Sequence, residues 1–556
     1  MLSFGKEVFA QPKYEIRASW VTTLGGMDWP SHKASGPRGI ELQKKEFCRI
    51  LDQLKAANFN TVLLQTRLRG DVIYPSAIES FTESLTGHEG KDPGYDPLQF
   101  AIEECHRRGM EVHAWIVTIP IGNQRQVKLL GEESVVRKKP SLCKLYKGTW
   151  YLDPGNKGTD DYLAGIVREI VSKYDIDGVH FDYIRYPEHS ATFPDAATYR
   201  KSHSKQDLAQ WRRDNITRIV RRLYHETKAL KPWVKVSSSP VGKYNDTRRY
   251  NSRGWNAYEI VYQDAKQWLS EGIHDALFPM MYFQGNNFYP FALDWQENKY
   301  ERWIVPGLGI YFLHPRERDW QLNEIVRQIE FTRSIGTDGQ AYFRNQFLLD
   351  NTKGLLDKLK ERFYAYPAVV PAMKWQDSIA PLPPSQPVFT PLTKGVQLKW
   401  KASESREKGG IYYRVYASDT YPVDIQKAEK IGRLMDAIST CDHFVMAGSM
   451  NSFHEHFDPF FELVVHLHTD AQVRVKRVHN RELVLFGKRI LEGGDMYAEH
   501  QKFLNDIAGY DFGVGGCTLQ QHELWIKSLK CKVIRLDGAH ALEENLKIIL
   551  EAYRER

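Results

Sequence analysis

The segment Gly178-Val179-His180-Phe181-Asp182-Tyr183 holds residue types from which acid–base chemistry can be built. It reads as a short strand, and alternation sends His180 and Asp182 to one side and Val179 and Phe181 to the other. Beside Phe181, Tyr183 and Tyr186, a carboxyl at the strand end is open to desolvation, which raises its pKa. The plainer role for such an Asp is to cap a helix. Hydrolysis of a glycosidic bond is the chemistry this suggests. It normally needs two carboxyl groups, one to protonate the leaving oxygen and one as base or nucleophile. Asp182 is the leading candidate. Glu188, six residues on, and Asp71 and Asp28 from loops are candidates for the second. Assistance by an N-acetyl group of the substrate would remove the need for a protein nucleophile.

Other polar residues fall at the ends of apolar runs. Gln65-Thr66-Arg67 ends one run, and Arg67 suits orienting a carboxylate or a sugar hydroxyl. Arg69 and Asp71 follow, where the simple alternative is a loop salt bridge. His113 and Trp115 stand two apart. The first reads equally as a satisfied core histidine, and the second as a sugar platform or as packing. Tyr282 is the polar tip of Pro279-Met280-Met281-Tyr282-Phe283.

Such residues need a scaffold that gathers strand ends. Eight short apolar runs qualify as strands: 17–23, 61–67, 111–117, 178–184, 234–240, 276–282, 303–310 and 340–345. Near-continuous apolar runs of this kind suit parallel strands buried on both faces. Helix patterns separate them at 41–57, 160–174, 205–230, 257–270 and 322–334, with Asp96-Pro97 opening another that Gly109 ends. A weaker helix pattern covers 294–301. Strands and helices alternating eight times predict an α/β fold, a (β/α)8 TIM barrel over residues 14–365, with catalytic groups at the C-terminal strand ends. An open doubly wound sheet would carry a Gly-rich phosphate turn after its first strand, and Gly25-Gly26 lacks that pattern.

The rest of the chain changes character. Pro381-Leu382-Pro383-Pro384 marks a linker, and the alternating runs Val396–Trp400 and Tyr412–Ala417 suggest a short partial β-sandwich over 380–425. Beyond it, 430–556 carries short buried strands near Phe444–Met446 and Leu463–Leu467. A basic amphipathic helix at Ala471–Phe486 and a C-terminal helix at Leu542–Tyr553 complete the pattern.

The 556 residues are 42% apolar and 26% charged, as in globular proteins, with a formal charge of only +7 spread along the chain. Charge therefore makes no case for nucleic acid. Fourteen Trp and 29 Tyr suit a sugar cleft or a large aromatic core. The six Cys form no C-x-x-C pair, so no zinc or redox motif arises, and no metal or cofactor is expected. No 18-residue apolar run spans a membrane. Val8-Phe9-Ala10 before Gln11 resembles the end of a secretory signal without its apolar segment, so the start reads as truncated.

Taken together, Arg17-Ala18-Ser19-Trp20, Gln65-x-Arg67 with Gly70-Asp71-x-x-Tyr74-Pro75-Ser76, His113-Ala114-Trp115 and Asp177 to Pro187 resemble the glycosyl hydrolase-like family 10. The resemblance implies a TIM barrel with glycosidase activity and an exported, periplasmic or cell-surface protein. It makes cell-wall or amino-sugar glycans the substrates to expect. Asp182 matches the family's strand-four Asp, whereas Tyr183 stands where many members carry a second Asp. Trp20, Arg67, Tyr74, His113, Trp115, His180, Tyr183, Arg185 and Tyr282 are the expected substrate contacts. The tail, with Leu463–Leu467, Arg474, Arg477, His479 and Arg481, resembles the C-terminal half of a P-loop kinase-like ATPase, but no G-x-x-x-x-G-K-[ST] loop cradles phosphate. Joining the two implies an in-frame fusion or an assembly error. The alternatives to a glycosidase are a catalytically weak glycan-binding barrel and a nucleotide-kinase function of the tail, which the missing loop disfavours.

Overall fold

Apolar runs rich in Val, Ile and Leu set the strands, and a computed structural model closes them into a ring. It describes residues 11–378, 385–391, 396–401, 454, 457–494, 496–513 and 518–555. These divide into two units with their boundary between Arg414 and Val415.

In the first unit the barrel strands are β1 (Ile16–Val21), β2 (Thr61–Arg67), β3 (Glu111–Val117), β4 (Gly178–Asp182), β5 (Lys235–Ser238) and β8 (Gly339–Tyr342). Two more are interrupted: β6 (Ala276–Leu277, Met280–Met281) and β7 (Trp303–Ile304, Gly307–Leu308). Pro279 and Pro306 stand at the interruptions, where a residue without N–H cannot donate to the ladder. Every neighbouring pair is parallel, and β8 pairs back to β1 with Ile16 opposite Gly339, so the ring is closed.

The helices expected between strands are present. Pro37–Ala56, Lys157–Lys173, Leu208–Leu230 and Leu322–Ser334 bury one face each against the strands. Asp96 caps Pro97–Arg107 by accepting from the N–H groups of Leu98 and Gln99. The single helix expected at 257–270 is two, Ala257–Ile260 and Ala265–Ser270, because Asp264 starts a second cap. The weakly marked helix lies at Tyr289–Glu297.

Two cores result. The larger packs strands against helices. The smaller fills the barrel with Ile16, Ala18, Trp20, Leu63, Trp115, Phe278, Trp303 and others. Two glycines make room for it: a Cβ on Gly178 would stand 2.7 Å from the His113 ring, and one on Gly307 would stand 2.8 Å from Trp20.

Beyond the barrel, Ser385–Pro391 and Val396–Lys401 form an antiparallel pair. The runs Tyr412–Ala417 and Phe444–Met446 and the segment 1–10 lie outside the described residues.

In the second unit, Leu463–His468 pairs in parallel with Lys532–Asp537, and helices Ala471–Phe486, Tyr497–Gly509, Leu519–Ser528 and Leu542–Arg554 accompany them. Arg474 is held by Asp511 at 2.7 Å, and Arg477 donates to the Gly538 carbonyl.

Candidate active site

Asp182 ends β4 at the C-terminal rim of the barrel and is 6% exposed. Its backbone carbonyl accepts from both the N–H and the hydroxyl of Thr118, which pins the ends of β3 and β4 together. Its carboxylate accepts three hydrogen bonds. Oδ1 takes the Tyr183 N–H at 2.7 Å and the Ser239 hydroxyl at 3.0 Å, and Oδ2 takes Trp115 Nε1–H at 3.1 Å. Burial pushes this carboxyl above the ordinary Asp range; the donors Ser239 and Tyr183, the Arg185 charge and Trp115 pull the other way without cancelling it. A carboxyl so placed can hold a proton for a leaving oxygen or act as base within the same site.

Tyr183 carries the local strain. Its φ of +50° is left-handed, a conformation that costs a bulky residue about 1 kcal/mol or more. The turn brings its N–H onto Asp182 and its ring between β4 and the loop after β2, where Arg69 and Arg185 lie over it. Tyr282 stacks on Phe343 at 5.5 Å between ring centres and packs edge-on against Tyr311. Burial and then the Asp182 charge push its phenol well up, so it stays a neutral donor.

Several expected substrate contacts lie deeper or elsewhere. Trp20 is 2% exposed and donates Nε1–H to His180 Nε2 at 3.2 Å. His180 passes this on through Nδ1 to Ser237 at 3.0 Å, and burial holds its imidazole far below the usual histidine range, as a neutral ring. Trp115 is also buried, so it positions Asp182 through its N–H and offers no face for a sugar to stack on. His113 sits one layer lower, with Nε2 against Glu111 at 3.3 Å and Nδ1 buried without a hydrogen-bond partner among the described residues. Arg67 is fully buried. Glu79 holds it by two bonds of 2.8 and 2.7 Å, and it donates to the carbonyls of Val117 and Thr118, so it braces the end of β3 instead of reaching a sugar. Tyr74 donates to Glu169 on the helix Lys157–Lys173 and belongs to the outer shell.

The acids divide likewise. Asp71 is buried, accepts the Arg69 N–H at 2.6 Å, and burial, opposed by Thr82 and that N–H, leaves its carboxyl raised. The Arg69–Asp71 salt bridge does not form, because only the backbone of Arg69 meets Asp71. Asp28 is consumed by Arg344 and by the N–H groups of Thr22 and Gln346, all at 2.8 Å. Glu188 is 52% exposed in its side chain and touches Arg185 Nη2 at 3.4 Å.

Sequence reasoning missed Ser239, Thr118 and Glu89. The run Ser237-Ser238-Ser239 at the end of β5 was the available signal for the first. Glu89 has its carboxyl pushed to about 8 by burial, then by Asp71 and Glu83. Among the described residues no three His, Cys, Asp or Glu side chains gather as metal ligands.

A family model described as Glycosyl hydrolase-like 10 matches residues 15–309. The chain is similar to Glycosyl hydrolase YngK of Bacillus subtilis, at 34% identity over 431 residues, covering 74% of this chain and 84% of the relative. It is also similar to Glycosyl hydrolase DigH of Escherichia coli K12, at 29% identity, covering 61% and 84%. Among solved structures, the PgaB (BpsB) glycoside hydrolase domain from Bordetella bronchiseptica aligns with a TM-score of 0.43 and 17% identity, over 63% of this chain and 99% of that one. On the family match and the YngK relationship, the chain belongs to the glycosyl hydrolase-like 10 family.

Proposed function

We propose that this protein hydrolyses glycosidic bonds in an amino-sugar polysaccharide of the cell-wall, peptidoglycan type, with Asp182 as the catalytic carboxyl. The observation that carries the reading is Asp182 itself. It is a carboxyl at a barrel strand end, buried, raised by that burial and oriented by Ser239, Tyr183 and Trp115. Family membership supports a carbohydrate substrate, and the motif resemblance supports the cell-wall class and an exported location.

Tyr282, Tyr183 and Arg185 line the sugar site in this reading. Asp71 is the protein's own candidate for the second carboxyl, and the acetamido group of an amino sugar is the substrate's. Thr118 and Arg67 act through backbone: they hold the ends of β3 and β4 so that Asp182 cannot drift from the scissile bond.

The test is release of reducing ends from peptidoglycan strands freed of stem peptides, from chitin-type chains and from neutral polysaccharides. Wild type acts on one of the first two, and Asp182→Asn acts on none. Glycan binding without any release by wild type would instead make the barrel a binding module.

A further inference from the structure

Arg69 and Arg185 converge on one ring. Their guanidinium carbons lie 5.2 and 4.8 Å from the centre of Tyr183. Neither is neutralised as the buried Arg67 and Arg212 of this barrel are. Arg67 meets Glu79, and Arg212 meets Asp195, each through two bonds of 2.8 Å or less. The Arg69 guanidinium has no hydrogen bond or ion pair among the described residues, and its Nη1 is buried without an acceptor. Arg185 is 5% exposed; its Nε is buried without an acceptor, and among the described residues its one ion-pair contact is the half-exposed Glu188 at 3.4 Å.

Unfilled guanidinium donors are costly, and two like charges on one ring repel. An anion would relieve both. A planar guanidinium fork matches a carboxylate through paired N–H bonds. Tyr183 directly follows Asp182 in sequence, so the pair sits beside the reacting carboxyl.

We propose that Arg69 and Arg185 form a subsite that grips the carboxylate of an acidic sugar next to the bond cleaved at Asp182. That carboxylate comes from a lactyl ether on an amino sugar or from a uronic acid; both present the same group. Tyr183 holds the two forks in place, and the residue that replaces the second Asp of the motif thereby becomes part of substrate selection.

The subsite rests on the reading of Asp182 as the reacting carboxyl, and a binding experiment separates the two. Full-length Asp182→Asn protein is titrated calorimetrically with three glycans. The first is peptidoglycan strands freed of stem peptides, with lactyl carboxylates exposed. The second is the same strands with those carboxyls converted to primary amides. The third is an alternating N-acetylglucosamine–glucuronate polymer. At least one charged glycan binds about tenfold or more tighter than the amidated strands. Preference for the first identifies the lactyl group and preference for the third the uronic acid. Adding Arg69→Gln abolishes the preference, and Arg69→Lys restores part of it, which a fold defect would not do. Neither charged glycan binding more tightly than the amidated strands, or a preference untouched by Arg69→Gln, overturns the subsite. Hydrolysis that survives Asp182→Asn overturns the catalytic reading alone and leaves the binding comparison intact.

Discussion

Two carboxylates face the interior of the same barrel from opposite ends, and they titrate in opposite directions. Asp182 ends β4 at the C-terminal rim, where burial wins and its carboxyl is raised. Glu111 begins β3 at the N-terminal rim. Burial pushes it up too, but the Lys235 charge at 3.0 Å and then the His113 hydrogen bond bring it down to about 2. The difference lies in the partners. Glu111 has a full countercharge, whereas Asp182 has neutral donors and an arginine turned towards a tyrosine ring. One end of the barrel satisfies its charge, and the other leaves a carboxyl poised to exchange a proton. This is the division a (β/α)8 barrel makes between a stabilising face and a reacting one.

The largest effect should come from breaking the reacting end. Asp182→Asn removes the proton-transferring group and should lower turnover about 1000-fold, within the range of general acid–base catalysis. The fold should persist. A raised folded-state carboxyl favours the native state at low pH, and that contribution is lost as pH rises through the folded value. The stability of Asp182→Asn relative to wild type should therefore improve from about pH 4 to pH 7. Thermal melts across that range, alongside reducing-end assays, check both. Turnover near wild type would erase the contrast between the two carboxyls.

Breaking the other end should do the reverse. Glu111→Gln removes the nearest countercharge of Lys235, leaving only the more distant Asp177 and Asp275, and should cost about 3 kcal/mol, the low end for a buried pair because this one is partly open to solvent. Turnover per folded molecule should hold. Glu111 is depressed, so its contribution is complete above the unfolded glutamate value and is lost as pH falls towards about 2. Wild type should lose stability between about pH 4.5 and 2 more steeply than Glu111→Gln in urea melts.

How much of this contrast the sequence reveals depends on depth. Alternation correctly assigns His180, Trp115 and His113 to the barrel interior, but it says nothing of level. Two residues along a strand is about 7 Å, a full layer of side chains. Asp182 reaches the rim, whereas His180 beneath it is spent on Trp20 and Ser237. All eight strands are legible because burial on both faces makes them apolar runs, but 276–282 and 303–310 read as unbroken, whereas β6 and β7 are interrupted at Pro279 and Pro306. The arginines are not legible. Arg67 and Arg69 look alike in sequence, and only the fold brings Glu79 to one of them and Tyr183 to the other.

A smaller effect should come from tuning Asp182 without removing it. Trp115→Phe deletes the indole N–H that stabilises the charged carboxylate. A hydrogen bond to a charged group is worth roughly 1.5 kcal/mol or more, which raises the carboxyl by about one pH unit. The limb of the pH–rate profile governed by Asp182 should move to higher pH by that amount, whether it reports the proton donor or the base. A profile unchanged in position would mean that Trp115 only packs.

The smallest expected effect belongs to Glu188. Its side chain is half in water and its one contact is a 3.4 Å approach to Arg185, so the pair is worth at most about 1 kcal/mol. Glu188→Gln should change turnover on amidated strands less than about fivefold, in keeping with that estimate. With carboxylated strands the sign becomes informative. Among the described residues Glu188 is the acid within ion-pair distance of Arg185, so its loss removes a competitor for that guanidinium and should lower KM while leaving kcat in place. A turnover loss approaching that of Asp182→Asn would instead make Glu188, in place of Asp71, the second reacting carboxyl.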